Sequence, residues 1–273
     1  MSFSQVKRHD FPEGMPRPAP LAALRERIRH IEQPVSHGVL PFGVAAIDCA
    51  LPGGGLALGA VHEILGQGGD EEDGAAACGF AAGILARLRM GPVLWCLKRP
   101  DLYGPGLAEH GLDPARLVIV RAPRDDDILW AIEEGLRTPG LAAVIGEIGR
   151  LPMVASRRLQ LAAERSGVTA LLLRRWRNAR DAAAERGRPS AALTRWRVAS
   201  LASADSGEPG VGRPRWRVEL LRCRGGEPAA WTVPPDTGVA DATGSLSLSA
   251  GLADRPAAPR RDDSGAVPER LAG

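Results

Sequence analysis

Short apolar runs alternate with longer amphipathic stretches through most of this chain. A strand is predicted at about 60–65, a helix over the small, apolar stretch 74–90, and a buried strand at VLWCL, 93–97. A short helix at 104–112 and a strand at LVIV, 117–120, follow. Residues 125–137 carry the 3.6-residue period of a half-buried helix, with Asp125 as its N-cap. LAAVIGEI at 141–148 and VTALLLR at 168–174 read as strands on either side of a helix at 152–166. Apolar strands alternating with helices predict a mostly parallel α/β sheet with helices on both faces.

The period changes after residue 190. LTRWRVAS (193–200), RPRWRVELLRC (213–223) and AAWTV (229–233) alternate polar and apolar positions, which predicts antiparallel edge strands. The connection 201–212 is rich in Ser, Gly and Pro. Residues 1–20 are charged, proline-containing and aperiodic, and 234–273 are dominated by Pro, Ala, Asp, Ser and Gly; both are expected to be disordered. Between them lie a predicted helix and linker at 21–37 and a core at 38–233. The helix places Leu21, Leu24, Ile28 and Ile31 on one face and stops before Pro34. Twelve residues are marginal as an isolated helix, so this stripe must pack on its own core or on another molecule.

The length of 273 residues suits one sizeable domain with tails, and a 44% hydrophobic content is ordinary for a globular protein. The net charge is only +3, but residues 150–228 hold 17 Arg against 7 acids. Lys7 and Lys98 are the lysines. A GC-rich genome produces such an arginine bias without any function behind it. Cys49, Cys78, Cys96 and Cys223 show no paired spacing and are expected to be buried free thiols of a reducing cytoplasm. No uncharged apolar stretch approaches the roughly 18 residues of a bilayer span, and the first residues lack a signal-like apolar region. A cytoplasmic protein with no membrane contact is expected.

FGVAAIDCALPGGGLALGAVHEILG, 42–66, resembles the entry of a RecA-type ATPase core. There an apolar helix and a glycine turn lead into the strand that delivers the phosphate loop. The likeness continues through AEHGLDPARLVIV, 108–120, and covers roughly residues 20–233. Within that group the chain most resembles the ImuA family, SulA-related, RecA-like proteins that act beside an ImuB polymerase-like protein in translesion synthesis. The resemblance implies a RecA-like P-loop NTPase fold.

The chemistry of that fold is missing from the places where it belongs. A phosphate loop reads G-x-x-x-x-G-K-[ST], so that backbone amides cradle phosphate, Lys neutralises charge and the hydroxyl holds magnesium. The corresponding stretch, GQGGDEEDGAAACGF at 66–80, keeps Gly66, Gly68, Gly69 and Gly74 but has no Lys, Ser or Thr. It carries Asp70, Glu71, Glu72 and Asp73 instead, and each like-charge contact with a phosphate costs about 1 kcal/mol or more. These acids are expected to cap the helix start themselves. Where RecA-like strands place an Asp, this chain has Gly146; Glu147 either substitutes for it or is an exposed strand-end acid. Where a catalytic Glu belongs, Lys98 and Arg99 precede Asp101. Phosphoryl transfer rests on positioning and electrostatics, so a degenerate nucleotide site, and no enzyme activity, is expected. The acid spacing matches no metal-ligand loop, and no metal or other cofactor is expected. His62 beside Glu63 reads as a packed pair rather than a ligand set, and His30, His37 and His110 stand alone.

Arg175–Trp176–Arg177, Arg195–Trp196–Arg197 and Arg215–Trp216–Arg217 recur every 20 residues. On a strand each triplet sets two guanidiniums on one side and an indole on the other. Two readings remain open: a cationic strip for phosphates with stacking indoles, or core tryptophans flanked by solvated arginines.

The expected function is that of a non-catalytic adaptor in translesion synthesis. The resemblance implies as partners an ImuB-like polymerase protein, RecA or a second copy, and weak, sequence-indifferent binding of single-stranded DNA. A SulA-like inhibitor of cell division and a RecA-type ATPase with an unusual loop are the alternatives.

Overall fold

The computed structural model describes residues 37–88, 91–176, 178–203 and 215–233. The predicted helix at 21–32, with Leu21, Leu24, Ile28 and Ile31, lies outside them, as do Arg177 and the segments 1–20, 204–214 and 234–273. The described elements fall in one unit that starts at His37. They begin with β1 (Val39–Leu40), α1 (Ala45–Asp48) and a 3-10 turn at Pro52–Gly54. Next come β2 (Leu56–Ala57), β3 (Val61–Gly66), α2 (Asp70–Arg87), β4 (Val93–Leu97) and α3 (Gly104–Glu109). The chain continues through β5 (Leu117–Arg121), α4 (Asp125–Arg137), β6 (Ala143–Ile148), α5 (Met153–Ser166), β7 (Thr169–Arg174) and α6 (Ala179–Arg186). It closes with β8 (Thr194–Leu201), β9 (Arg215–Cys223) and β10 (Ala229–Val233).

Eight strands form one sheet in the order β10-β9-β8-β3-β7-β6-β4-β5. All neighbours from β8 to β5 are parallel, while β8–β9 and β9–β10 are antiparallel. The protein is therefore an α/β domain with a mostly parallel sheet. The change of period near residue 190 marks the change of strand direction. Because the central strands are apolar on both sides, each face needs a cover. The first face is covered by α2, whose Ala77, Phe80, Ile84 and Leu85 meet Ile64, Trp95, Leu171 and Trp196. Phe42, Phe80 and Trp196 gather there with ring centroids 5.3–6.0 Å apart. The second face is covered by α4 and α5, through Ile128, Ile132, Leu136 and Leu159 against Val61, Cys96, Val144 and Leu172. Among the described residues no helix is long and apolar enough to cross a membrane.

Two glycines set how close the helices come. A Cβ on Gly79 would lie 2.5 Å from His110 and 2.8 Å from Trp216, so α2 could not seat beside β9. A Cβ on Gly146 would lie 2.2 Å from the Ile132 side chain, so α4 packs directly on β6.

Some sequence expectations need correction. Asp125 is the first residue of α4 and does not cap it; Arg124 holds the N-cap position. Its carboxylate instead accepts bonds from Lys98 (2.6 Å) and from the amides of Gly149 (3.1 Å) and Arg150 (3.0 Å). Cys49 is exposed because it closes α1 at the surface, whereas Cys96 and Cys223 are buried. Helix α6 was not predicted.

Candidate functional site

The loop from β3 to α2 lies at the C-terminal end of the central strand, where α/β sheets bind ligands. Its backbone amides are already occupied. Gln67 donates to the carbonyl of Val198 (2.9 Å), Gly68 to the carboxylate of Asp73 (2.6 Å) and Gly69 to that of Glu72 (3.2 Å). Asp73 also accepts the amide of Ser200 at 2.7 Å, which ties the loop to β8. Asp73 and Glu72 of the first turn thus take up the amides of Gly68 and Gly69. A Cβ on Gly68 would lie 1.9 Å from a Glu72 oxygen, so a larger residue there would push the Glu72 carboxylate off the loop. Gly74 is equally confined, 2.7 Å from an Asp70 oxygen. The cavity bounded by Gly66, Gly68, Gly69, Gly74, Asp70 and Arg175 measures about 10 Å³, room for at most one water.

Arg175 closes this end of the sheet. Its guanidinium donates to Asp70 (2.8 and 2.9 Å), Asp101 (2.8 and 3.1 Å) and Glu147 (2.6 Å). Arg99 bonds Asp70 as well and lies 3.3 Å from Asp101. Glu147 is buried and takes a second bond from the indole of Trp95 at 2.9 Å. The expectation of an exposed strand-end acid at 147 is therefore corrected. The pleat turns Gly146 to the α4 face and Glu147 to the loop face, and the carboxylate is consumed by Arg175 and Trp95. Burial opposes ionisation of Asp70, but hydrogen bonds from Arg175 and Arg99 outweigh it and hold the carboxyl below its usual range. Burial likewise works against the Arg175 cation, and its bonds to Asp70 and Asp101 more than restore it. Lys98 is held by Asp125, away from the loop. Beside the network, burial pushes the Cys78 thiol up to about 12, so it stays protonated. Among the described residues no group of three His, Cys, Asp or Glu side chains could hold a metal ion.

The Arg–Trp–Arg triplets divide by face. Trp176, Trp196 and Trp216 are buried, as the core reading expects. Their arginines do not form one strip. Arg195 is buried and bonds Glu63 at 3.0 and 3.2 Å, so it offers nothing to a phosphate. Arg175 is spent on the loop network. Arg197 and Arg217 share Glu219 on the edge strands, and Arg215 opens β9, half-buried. Arg197 and Arg217 meet at Glu219, whereas Arg215 stands opposite Leu201, four residues farther along β8 than Arg197.

Sequence reasoning missed the second network. Glu63 on β3 is fully buried and bonds Arg174 (2.8 Å), Arg195 and Ser190. Burial raises its pKa, and the two guanidiniums more than reverse this. His62, one residue earlier, faces the other way and bonds Thr194 (2.7 Å) and the Ala57 carbonyl (2.8 Å). Burial drops its pKa to about 4. The signal for the Glu63 network was an acid whose neighbours on its own face of β3, Val61 and Leu65, are apolar, which demands a buried cation.

No family model matches the chain. Among curated relatives, Protein ImuA of Caulobacter vibrioides, in two strains, is 42% identical over 199 residues, 71% of this chain and 82% of the relative. The chain belongs to the ImuA family. The identity spans far more than the glycine-rich entry segment, so the family resemblance rests on most of the α/β domain. In this ImuA-family protein the β3–α2 loop is closed by its own acids and by Arg175.

Proposed function

We propose that this ImuA-family protein is a non-catalytic, RecA-like accessory protein of damage-induced mutagenesis, which works by holding partners and not by turning over nucleotide. The observation that carries the reading is the occupied loop. Three amides that would cradle phosphate are bonded within the protein, the cavity directly under the loop, about 10 Å³, cannot admit a phosphoryl group, and the open pocket of about 360 Å³ beside it presents the carboxylates of Asp70, Asp101 and Glu147. A nucleotide would have to displace Asp73 and Glu72, break the Arg175 network and then meet Asp70 at close range. No lysine or hydroxyl in 66–80 is present to repay that cost. The name of the Caulobacter relatives supports a place in the ImuA/ImuB mutagenesis system. On that footing an ImuB-like polymerase protein and RecA are the partners proposed, with single-stranded DNA as a weak, sequence-indifferent ligand of Arg197, Arg215 and Arg217.

Purified protein with ATP, magnesium and single-stranded DNA should release phosphate at the background rate, and isothermal titration should detect no ATP binding. A phosphate-release rate that scales with protein and disappears in Glu147→Gln would overturn the reading.

A further inference from the structure

We propose that the groove between the C-terminal halves of α4 and α5 docks an acidic, leucine-anchored helix of a partner protein. The inference rests on the reading of this chain as an adaptor, and it names the surface that reading lacks. Helix α5 turns Ser156, Leu159, Gln160 and Ala163 inward. A second stripe, Val154, Arg158, Leu161 and Arg165, runs along its exposed side at i, i+4, i+7 and i+11. Val154 is 71% exposed and Leu161 52%, although a solvent-facing stripe is ordinarily polar. Trp130 on α4 is 64% exposed, so three of the six large exposed apolar side chains among the described residues sit on these two helices.

Beside that stripe Leu136, Arg137, Arg158, Leu161, Ala162 and Arg165 line an open groove of about 390 Å³. Its floor is apolar and its rim is cationic. Glu133 is the one carboxylate lining it, and each of its oxygens already holds a guanidinium, from Arg137 and from Arg158. Both arginines nevertheless remain 58% exposed. Arg165 has no acidic partner among the described residues. Arg158 is pre-oriented by Glu133 and Arg137 by Glu133 and Glu134, so the three guanidiniums outnumber the two acids, and Arg165 is left to meet a carboxylate set beside an apolar anchor. The helical spacing of the stripe suits an amphipathic helix laid in the groove, with anchors at i, i+3 and i+7. Nucleic acid fits less well. The centre of the patch is aliphatic, and no aromatic side chain lines the groove for bases to stack on.

The test uses the full chain and a fluorescent amphipathic peptide of about five helical turns. Its apolar face is leucine and its other positions are Glu. A second peptide carries Lys in place of every Glu, and a single-stranded oligonucleotide serves as competitor. Anisotropy should show the Glu peptide binding and the Lys peptide not binding. Leu161→Asp and Arg165→Glu, both at exposed positions, should each weaken binding about tenfold or more with an unchanged circular dichroism spectrum. Ile119→Asp, on the exposed edge strand β5, should bind like the parent. Absence of Glu-peptide binding, equal binding by the Lys peptide, unaltered binding by both groove variants, or displacement by the oligonucleotide would each overturn the proposal. ATP turnover by the chain would instead strike at the adaptor reading and leave these binding results standing.

Discussion

Arg174 and Arg175 are neighbours in sequence, yet each organises a different network on a different face of the sheet. Arg174 enters a dry site, where it and Arg195 flank Glu63 and Arg174 also reaches Glu185 at 3.3 Å, two cations on two carboxylates with side chains almost wholly shielded. Arg175 reaches the loop end, where it and Arg99 meet Asp70, Asp101 and Glu147, two cations on three carboxylates with Asp101 and Arg99 partly wet. The first network joins β3, β7 and β8 inside the fold. The second joins the ends of β4, β6 and β7 to the start of α2. The same residue type therefore serves as a core fastener in one place and as a closure over the loop in the other, and strand pleating alone decides which.

The largest effect should come from the dry site. Glu63→Gln leaves Arg195 without a carboxylate and Arg174 with Glu185 alone, in a site shielded from solvent, which should cost about 3–5 kcal/mol in urea unfolding. A loss below about 1 kcal/mol would mean that water enters the site and that the two networks are alike. Arg175→Ala removes the shared partner of three carboxylates that solvent can partly reach, so a smaller loss of about 2 kcal/mol is expected. If it exceeds the Glu63→Gln loss in the same assay, the ranking is reversed.

Acid sharpens the contrast further. Glu63 and Asp70 both have carboxyls held below their ordinary values, so both networks keep their stabilising charge at neutral pH and lose it only as pH falls through the lowered folded values. His62 behaves differently. It is neutral in the fold down to about pH 4, while the unfolded chain takes up a proton near 6.5. Stability therefore falls as pH drops from 6.5 towards 4, by about 2 kcal/mol between pH 7 and pH 5. The urea midpoint should show that loss in the parent and lose most of it in His62→Gln. An equal loss in the variant would place the acid sensitivity in the carboxylate networks.

Much of this was legible along the chain. The helix at 125–137 and the strand at 229–233 form at the predicted bounds, since each is set by a strong local period. The acids at 70–73 were legible as self-caps because Asp73 and Glu72 reach Gly68 and Gly69 within a few residues. The burial of Trp176, Trp196 and Trp216 decides between the two readings of the Arg–Trp–Arg triplets in favour of core tryptophans. Helix α6 was hidden because ARDAAAER has no apolar stripe; its local mark is Asn178, which caps the amide of Asp181 at 2.8 Å. The partners of Arg175 and Arg195 were not legible. Arg175 bonds Asp70 across 105 positions and Arg195 bonds Glu63 across 132, and no local pattern encodes such pairings.

The contact between Gly146 and Ile132 keeps this strand position from holding any side chain. A carboxylate engineered at 146, in the strand position where RecA-like proteins carry an Asp, would be driven into α4, with its first carbon 2.2 Å from Ile132 and 3.4 Å from Ile128. Relief requires moving a helix that is itself locked against β4 and β6, a repacking of the far face with costs of several kcal/mol. The obstacle to any side chain at 146 thus lies on the opposite side of the sheet from the β3–α2 loop, so what the strand end can carry is set by the packing of α4.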